Sequence, residues 1–84
     1  MFKVLIAEDE MLVRLGLKNS IAWENYEMTV IADAVNGLEA WLLYQELQPD
    51  LVLTDLNMPI MHGMELISKI REHDQKTRIV ILTC

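Results

Sequence analysis

Four short apolar runs, each the length of a β-strand, recur along the chain and are separated by stretches with helical periodicity. The runs are rich in β-branched and aliphatic residues, which is typical of strands buried within a sheet. They span Lys3 to Ala7, Thr29 to Ala34, Leu51 to Thr54, and Arg78 to Thr83. Because both faces of such strands are apolar, the pattern favours a parallel sheet that is covered by helices on both faces.

The stretches between these runs carry apolar residues at intervals of three and four, which places them on one face of a helix. The residues that share a face are Val13, Leu17 and Ile21 in the first stretch, Ala40, Leu43, Tyr44 and Leu47 in the second, and Leu66, Ile67 and Ile70 in the third. The predicted order is therefore β-α-β-α-β-α-β. With right-handed crossovers, this order gives an α/β fold with a parallel sheet.

Turn and capping residues agree with these predicted helices. Asn36, with Glu39 three residues later, resembles the start of a helix. The segment Gln48-Pro49-Asp50 is predicted to end that helix, and Pro59 with Gly63 marks the loop before the third helix.

Carboxylates follow two of the predicted strands at the point where each strand ends. Glu8, Asp9 and Glu10 follow the first strand, and Asp55 follows the third. Ligands bind at the carboxyl ends of the strands in open α/β sheets, so Asp55 and the Glu8/Asp9 pair are expected to converge there. An all-oxygen group of this kind suits Mg²⁺, or Mn²⁺, better than zinc.

Length, composition and charge limit the classes of function that this chain could have. The 84 residues are enough for one domain. Seven basic and thirteen acidic residues give a net charge of −6, which argues against direct nucleic-acid binding by this segment. A single cysteine, Cys84, excludes an internal disulfide and fits a reducing compartment. The sequence contains no signal peptide or apolar run of membrane-spanning length, so we expect a cytoplasmic location and no membrane contact.

Several motifs, taken in their order and spacing, resemble the receiver domain of two-component response regulators. They are Leu5 to Glu10, Pro49 to Pro59, Gly63, and Ile79 to Thr83. This resemblance runs the whole length of the chain and implies a flavodoxin-like doubly wound sheet with strand order 2-1-3-4. The segments Ile21 to Glu24 and Val35 to Ala40 look like the receivers that precede AraC-type DNA-binding domains.

The resemblance implies roles for five residues. Asp55 would accept a phosphoryl group from a histidine kinase in a Mg²⁺-dependent transfer, a reaction that depends on positioning and charge neutralisation. Glu8, Asp9, Asp55 and the backbone carbonyl of Asn57 would hold the metal. The Thr83 hydroxyl would contact a phosphoryl oxygen and move when the phosphate arrives, which would switch a downstream output. That output, DNA binding for transcription, would belong to an effector domain outside this segment.

The chain also departs from the family pattern. Receivers of this kind usually run to roughly 120 residues and carry a fifth strand, two more helices and a lysine after that strand. Residues 1–84 are therefore expected to form a receiver domain that is incomplete at its C-terminus. Lys76 and Arg78 lie at the wrong end of the fourth strand to replace that lysine, His62 stands where the family often has aspartate, and Glu8 replaces the commoner aspartate. The fourth strand would be an apolar sheet edge, which predicts a homo-oligomer.

Two other functions compete with the phosphoacceptor role. One is a noncatalytic dimerisation or interaction fragment. The other is a phosphohydrolase with Asp55 as nucleophile, but Asn57 stands where such enzymes need a second aspartate. Within the same enzyme class, a nucleoside triphosphatase would need a Gly-x-x-x-x-Gly-Lys motif, which the sequence lacks. The sequence thus predicts a signalling domain rather than an enzyme, with His62 and His73 at the surface.

Overall fold

A computed structural model describes residues 1–82 as a four-stranded parallel sheet with helices packed on it. The strands are β1 (Phe2–Ala7), β2 (Met28–Ala34), β3 (Leu51–Asp55) and β4 (Arg78–Leu82). The helices are α1 (Met11–Ser20), α2 (Gly37–Leu47) and α3 (Gly63–His73), with a 3₁₀ helix (Trp23–Tyr26) after α1. The sheet order is β2-β1-β3-β4, which confirms the predicted fold and the strand order implied by the resemblance.

Several element limits differ from the sequence prediction, and β1 and β2 each begin one residue earlier than predicted. β3 continues through Asp55, so this carboxylate belongs to the last residue of the strand and pairs with Leu82 across the sheet. Gly63 is the first residue of α3 rather than a loop residue. The predicted end of β4 at Thr83 lies outside the described residues.

The prediction that Ile21 belongs to the apolar face of α1 is wrong. The helix ends at Ser20, and Ile21 has extended backbone angles and an exposed side chain. The chain turns there into the 3₁₀ helix, where the Trp23 indole N–H donates to the carbonyl oxygen of Leu17 at 3.0 Å. This bond satisfies a carbonyl group that the end of the helix leaves without a backbone partner.

The two faces of the sheet are covered unequally. On one face, residues of α2 and α3 form a continuous core with β1, β2 and β3, and this core includes Ala40, Tyr44, Leu66 and Ile70. On the other face, Val4, Ile6 and Leu53 are packed by Leu17 of α1, by Trp23 and by residues of the strands. No residue of α1 is buried. Helices therefore lie on both faces, as predicted, but α1 shields its face only in part.

Capping places α2 as the sequence predicted. The Asn36 side chain accepts a hydrogen bond from the Glu39 N–H at 2.8 Å. At the other end Gln48 has φ 47°, and its N–H donates to the carbonyl oxygen of Tyr44 at 2.9 Å. Within residues 1–82 no helix is both long enough and apolar enough to cross a membrane.

Candidate functional site

Three carboxylates meet at the carboxyl edge of the sheet. Glu8 and Asp9 follow β1 directly, and Asp55 ends the neighbouring β3, where Ala7 and Thr54 are paired. One carboxylate oxygen from each of Glu8, Asp9 and Asp55 lies within 4.8 Å of the others. Parallel pairing of β1 with β3 brings these acids together across more than forty residues of sequence, as the sequence analysis expected.

Glu8 is the buried member of this cluster, with 4% of its surface exposed. Its N–H donates to the carbonyl oxygen of Ala34 at 3.0 Å, and its Oε2 accepts from the Glu10 N–H at 3.0 Å. Burial raises the pKa of Glu8, the neighbouring Asp9 and Asp55 raise it further, and the hydrogen bond from Glu10 opposes them. The cluster therefore concentrates negative charge where one carboxylate has lost most of its hydration.

Basic side chains do not neutralise the cluster within the part of the chain that the structure describes. Arg14 and Lys18 both form their ion pairs with Asp33, at 3.1 and 3.6 Å. Arg14 also donates to the backbone carbonyl oxygen of Glu8 at 2.9 Å. It thus orients the chain at Glu8 and leaves the carboxylate unpaired with a base.

This role of Arg14 was not predicted from the sequence. The available signal was its position in α1, three residues before Leu17, because residues at this spacing lie on neighbouring parts of one helix face. Leu17 packs on the sheet, and Arg14 is partly buried.

The loop after β3 carries the remaining predicted metal ligand. The Asn57 N–H points to Asp55 Oδ1 at 3.4 Å, and the Asn57 side chain is exposed. Met58 and Met61, further along this loop, are buried in the core. The loop is closed by the Gly63 N–H, which donates to the carbonyl oxygen of Leu56 at 3.0 Å.

Other predicted residues lie apart from the cluster. His62 is the residue before α3 and His73 is its last residue, and both are exposed, as predicted. Thr83, the predicted phosphoryl-sensing hydroxyl, lies outside the described residues. The metal role of the Asn57 carbonyl stays a prediction, because the grouping of donor atoms concerns carboxylates alone.

The donor set fits a hard divalent cation. All three side chains offer oxygen atoms, which Mg²⁺ and Mn²⁺ prefer over nitrogen or sulfur ligands. A bound cation would also offset the lost hydration and the repulsion from Asp9 and Asp55 that raise the pKa of Glu8. The arrangement can therefore hold a metal ion beside the Asp55 carboxylate.

Comparisons with known proteins agree on one family. The model of the response regulator receiver domain matches residues 4–84. The transcriptional regulatory protein HptR of Staphylococcus aureus is 42% identical over 83 residues, which are 99% of this chain and 32% of HptR. The chain thus spans about a third of the length of the curated relatives it matches.

Solved structures show the same likeness. The receiver domain of AraT, a response regulator from Geobacillus stearothermophilus, superposes with a TM-score of 0.91 at 39% identity, covering 95% of this chain and 62% of that one. A two-component transcriptional regulator, AraC from Clostridium phytofermentans, superposes with a TM-score of 0.87 at 31% identity, covering 96% and 65%.

Proposed function

Since the chain belongs to the family of response regulator receiver domains, we propose that its Asp55 accepts a phosphoryl group from a histidine kinase in a Mg²⁺-dependent transfer. The observation that carries this proposal is the convergence of Glu8, Asp9 and Asp55 within 4.8 Å at the carboxyl edge of the sheet. A lone aspartate at a strand end has simpler explanations. An aspartate beside two further carboxylates, with no base to pair them within residues 1–82, is better explained by cation binding.

The residues of the site would have different roles in this transfer. An oxygen of the Asp55 carboxylate attacks phosphorus, the phosphorus–nitrogen bond of the donor phosphohistidine breaks, and the imidazole keeps the bonding electron pair. The product is an acyl phosphate on Asp55. A metal ion held by Glu8, Asp9, Asp55 and the Asn57 carbonyl would neutralise charge on the phosphoryl oxygens, which is the main requirement of phosphoryl transfer.

The relatives support a proposal for the output of this chain. HptR is a transcriptional regulatory protein, and this chain corresponds to about a third of its length. We therefore propose that phosphorylation of Asp55 switches a transcriptional output through a part of the protein other than these 84 residues, with Thr83 sensing the phosphate. A histidine kinase as partner also implies a cytoplasmic location. In this role the chain is a signalling domain and not an enzyme acting on a separate substrate.

Incubation with acetyl phosphate and Mg²⁺, followed by mass spectrometry, tests the proposal. The wild-type chain is expected to gain one phosphoryl group that is lost on treatment with hydroxylamine, as acyl phosphates are. Asp55→Asn should abolish the gain. Glu46→Gln, which removes an exposed acid near the C-terminal end of α2 and outside the acid cluster, should leave it unchanged. A phosphoryl group that persists in Asp55→Asn, or that maps to His62, His73 or Thr83, would contradict the assignment.

A further inference from the structure

The first residue of α2 and the loop after β3 approach each other more closely than side chains would allow. A Cβ atom built on Gly37 would lie 2.0 Å from the carbonyl oxygen of Met61 and 2.7 Å from its carbonyl carbon. No glycine among the described residues has a positive φ, so backbone conformation does not explain this glycine. Gly37 is required because the backbone of Met61 occupies the space that a side chain would need.

The loop that contacts Gly37 has little freedom to move away. The Met61 side chain is buried in the core, and the Met61 N–H donates to the carbonyl oxygen of Pro59 at 2.8 Å. Gly63 packs against the start of the same loop, where a Cβ atom would lie 2.3 Å from the carbonyl oxygen of Asp55. A displacement of Met61 would therefore pass to the short segment between Asp55 and Met61, which contains Asn57.

Residues 34–37, which join β2 to α2, contact Glu8 at one end and the loop after β3 at the other. At one end, the Ala34 carbonyl oxygen accepts from the Glu8 N–H at 3.0 Å. At the other end, Gly37 contacts Met61. Between them, the Val35 N–H donates to Glu39 Oε1 at 3.1 Å, and the Asn36 side chain caps α2. The turn is therefore well ordered by its own hydrogen bonds, and it bridges the Glu8 backbone and the loop that carries Asn57.

We propose that the turn of residues 34–37 sets the position of the loop that carries Asn57 relative to Glu8 at the end of β1, and that Gly37 is a positioning residue for cation binding. A side chain at Gly37 would displace the backbone at Met61 and, with it, the loop that carries Asn57, whose carbonyl oxygen would hold the cation. This inference rests on the proposed function, because it assumes that the cluster holds a divalent cation. It adds a residue that contacts neither the metal ligands nor the phosphoryl group.

Gly37→Ala in the 84-residue chain tests the inference, with Gly16→Ala as the matched control. Gly16 lies within α1, and a Cβ atom there would meet nothing within 4 Å. The Mn²⁺ affinity would be measured by water proton relaxation, and the amide chemical shifts of residues 56–63 by NMR of the metal-free protein. We expect Gly37→Ala to shift those amides and to weaken Mn²⁺ binding by about tenfold, a loss typical of groups that orient metal ligands. Gly16→Ala should do neither.

Each outcome bears on the inference. Equal Mn²⁺ affinity in folded Gly37→Ala and wild type would overturn it. If Gly37→Ala does not fold, Asn36→Ala serves instead, because it loosens the same turn without adding a side chain. Asn36→Ala is expected to weaken Mn²⁺ binding relative to Asn19→Ala, and equal affinity of those two variants would overturn the inference.

Failure of the wild-type chain to bind Mn²⁺ would contradict the proposed metal site. The amide shifts of the metal-free Gly37→Ala protein would then still decide whether Gly37 positions the loop. Unchanged shifts would show that it does not.

Discussion

The hydroxyl of Tyr44 donates a 2.6 Å hydrogen bond to Oδ2 of Asp74 and so joins α2 to the turn between α3 and β4. The other carboxylate oxygen of Asp74 accepts from the N–H groups of Lys76 and Thr77, at 2.7 and 3.0 Å. Thr77 in turn donates through its hydroxyl to the carbonyl oxygen of Pro49, at 2.6 Å. One carboxylate thus organises the turn that leads into β4.

We expect this pair to make stability depend on pH at both extremes. Hydrogen bonds from Tyr44, Lys76 and Thr77 lower the pKa of Asp74 from 3.8 to about 2. Its contribution is therefore present above pH 3.8 and is lost as the pH falls towards about 2. Burial, and then the bond to Asp74, raise the pKa of Tyr44 from 10.0 to about 12. That contribution is present below pH 10.0 and is lost as the pH rises towards about 12.

Tyr44→Phe should remove the alkaline part of this dependence and weaken the acid part, because the mutant keeps the ring and loses the hydroxyl. Tyr26→Phe is the matched control, since Tyr26 is exposed and its hydroxyl has no comparable partner within residues 1–82. Urea unfolding, at neutral pH and across the pH ranges in which Asp74 and Tyr44 titrate, measures how the free energy of unfolding of each protein depends on pH. A parallel pH dependence in wild type and Tyr44→Phe would contradict the assignment.

Asn36→Ala should lower the free energy of unfolding by about 1 kcal/mol, the usual effect of losing a helix N-cap. The Asn36 side chain accepts from the Glu39 N–H, which would otherwise lack a partner in the first turn of α2. Asn19→Ala, at an exposed position in α1, is the control and should change stability little. Equal denaturation midpoints for Asn36→Ala and Asn19→Ala would show that the cap contributes nothing.

Asp9→Asn should weaken Mn²⁺ binding, because it removes one of the three carboxylates that converge at the sheet edge. Glu10→Gln removes a neighbouring charge whose carboxylate is outside the cluster, and it should have a smaller effect. Titration calorimetry measures the Mn²⁺ affinity of both variants and of the wild type. Identical affinities in wild type and Asp9→Asn would rule out the site as described.

Mg²⁺ should also raise the melting temperature, because it binds the folded chain and relieves repulsion among Glu8, Asp9 and Asp55. A free Mg²⁺ concentration of about 100 times Kd would raise the free energy of unfolding by about 2.7 kcal/mol. Calorimetric melting with Mg²⁺ and with Na⁺ at matched ionic strength separates binding from screening. The same rise in both salts would contradict specific binding.

The 84-residue chain should self-associate through β4. This strand is an edge of the sheet in the order β2-β1-β3-β4, and Val80 and Ile81 are 46% and 42% exposed. An apolar, unpaired edge is a template for pairing with a second copy. Val80→Lys should reduce association, whereas Val35→Lys, at an exposed loop position, should not. Light scattering at tens of micromolar, about where weak association becomes visible, measures the oligomeric state. A monomeric wild type at that concentration would contradict the prediction.

The sequence by itself determined the fold class, the strand positions, the cap of α2 and the convergence of the acids. These features depend on short-range patterns: apolar runs mark strands, and Asn36 with Glu39 lies within one helical turn. The convergence of Asp55 with Glu8 also needed one rule of topology, that the carboxyl ends of parallel strands share an edge. For this reason it could be predicted without knowledge of side-chain packing.

Only the tertiary structure decided the contacts between residues that lie far apart in the sequence. Gly37 and Met61 are 24 positions apart and Tyr44 and Asp74 are 30 apart, and nothing in the local sequence marks either pair. The early end of α1 before Ile21 likewise depends on where Trp23 packs. Such contacts arise when whole elements pack against each other. The number of residues between two positions does not specify how far apart they lie in the folded chain. The sequence therefore predicted which carboxylates meet at the edge of the sheet, and packing determined the contacts between distant elements.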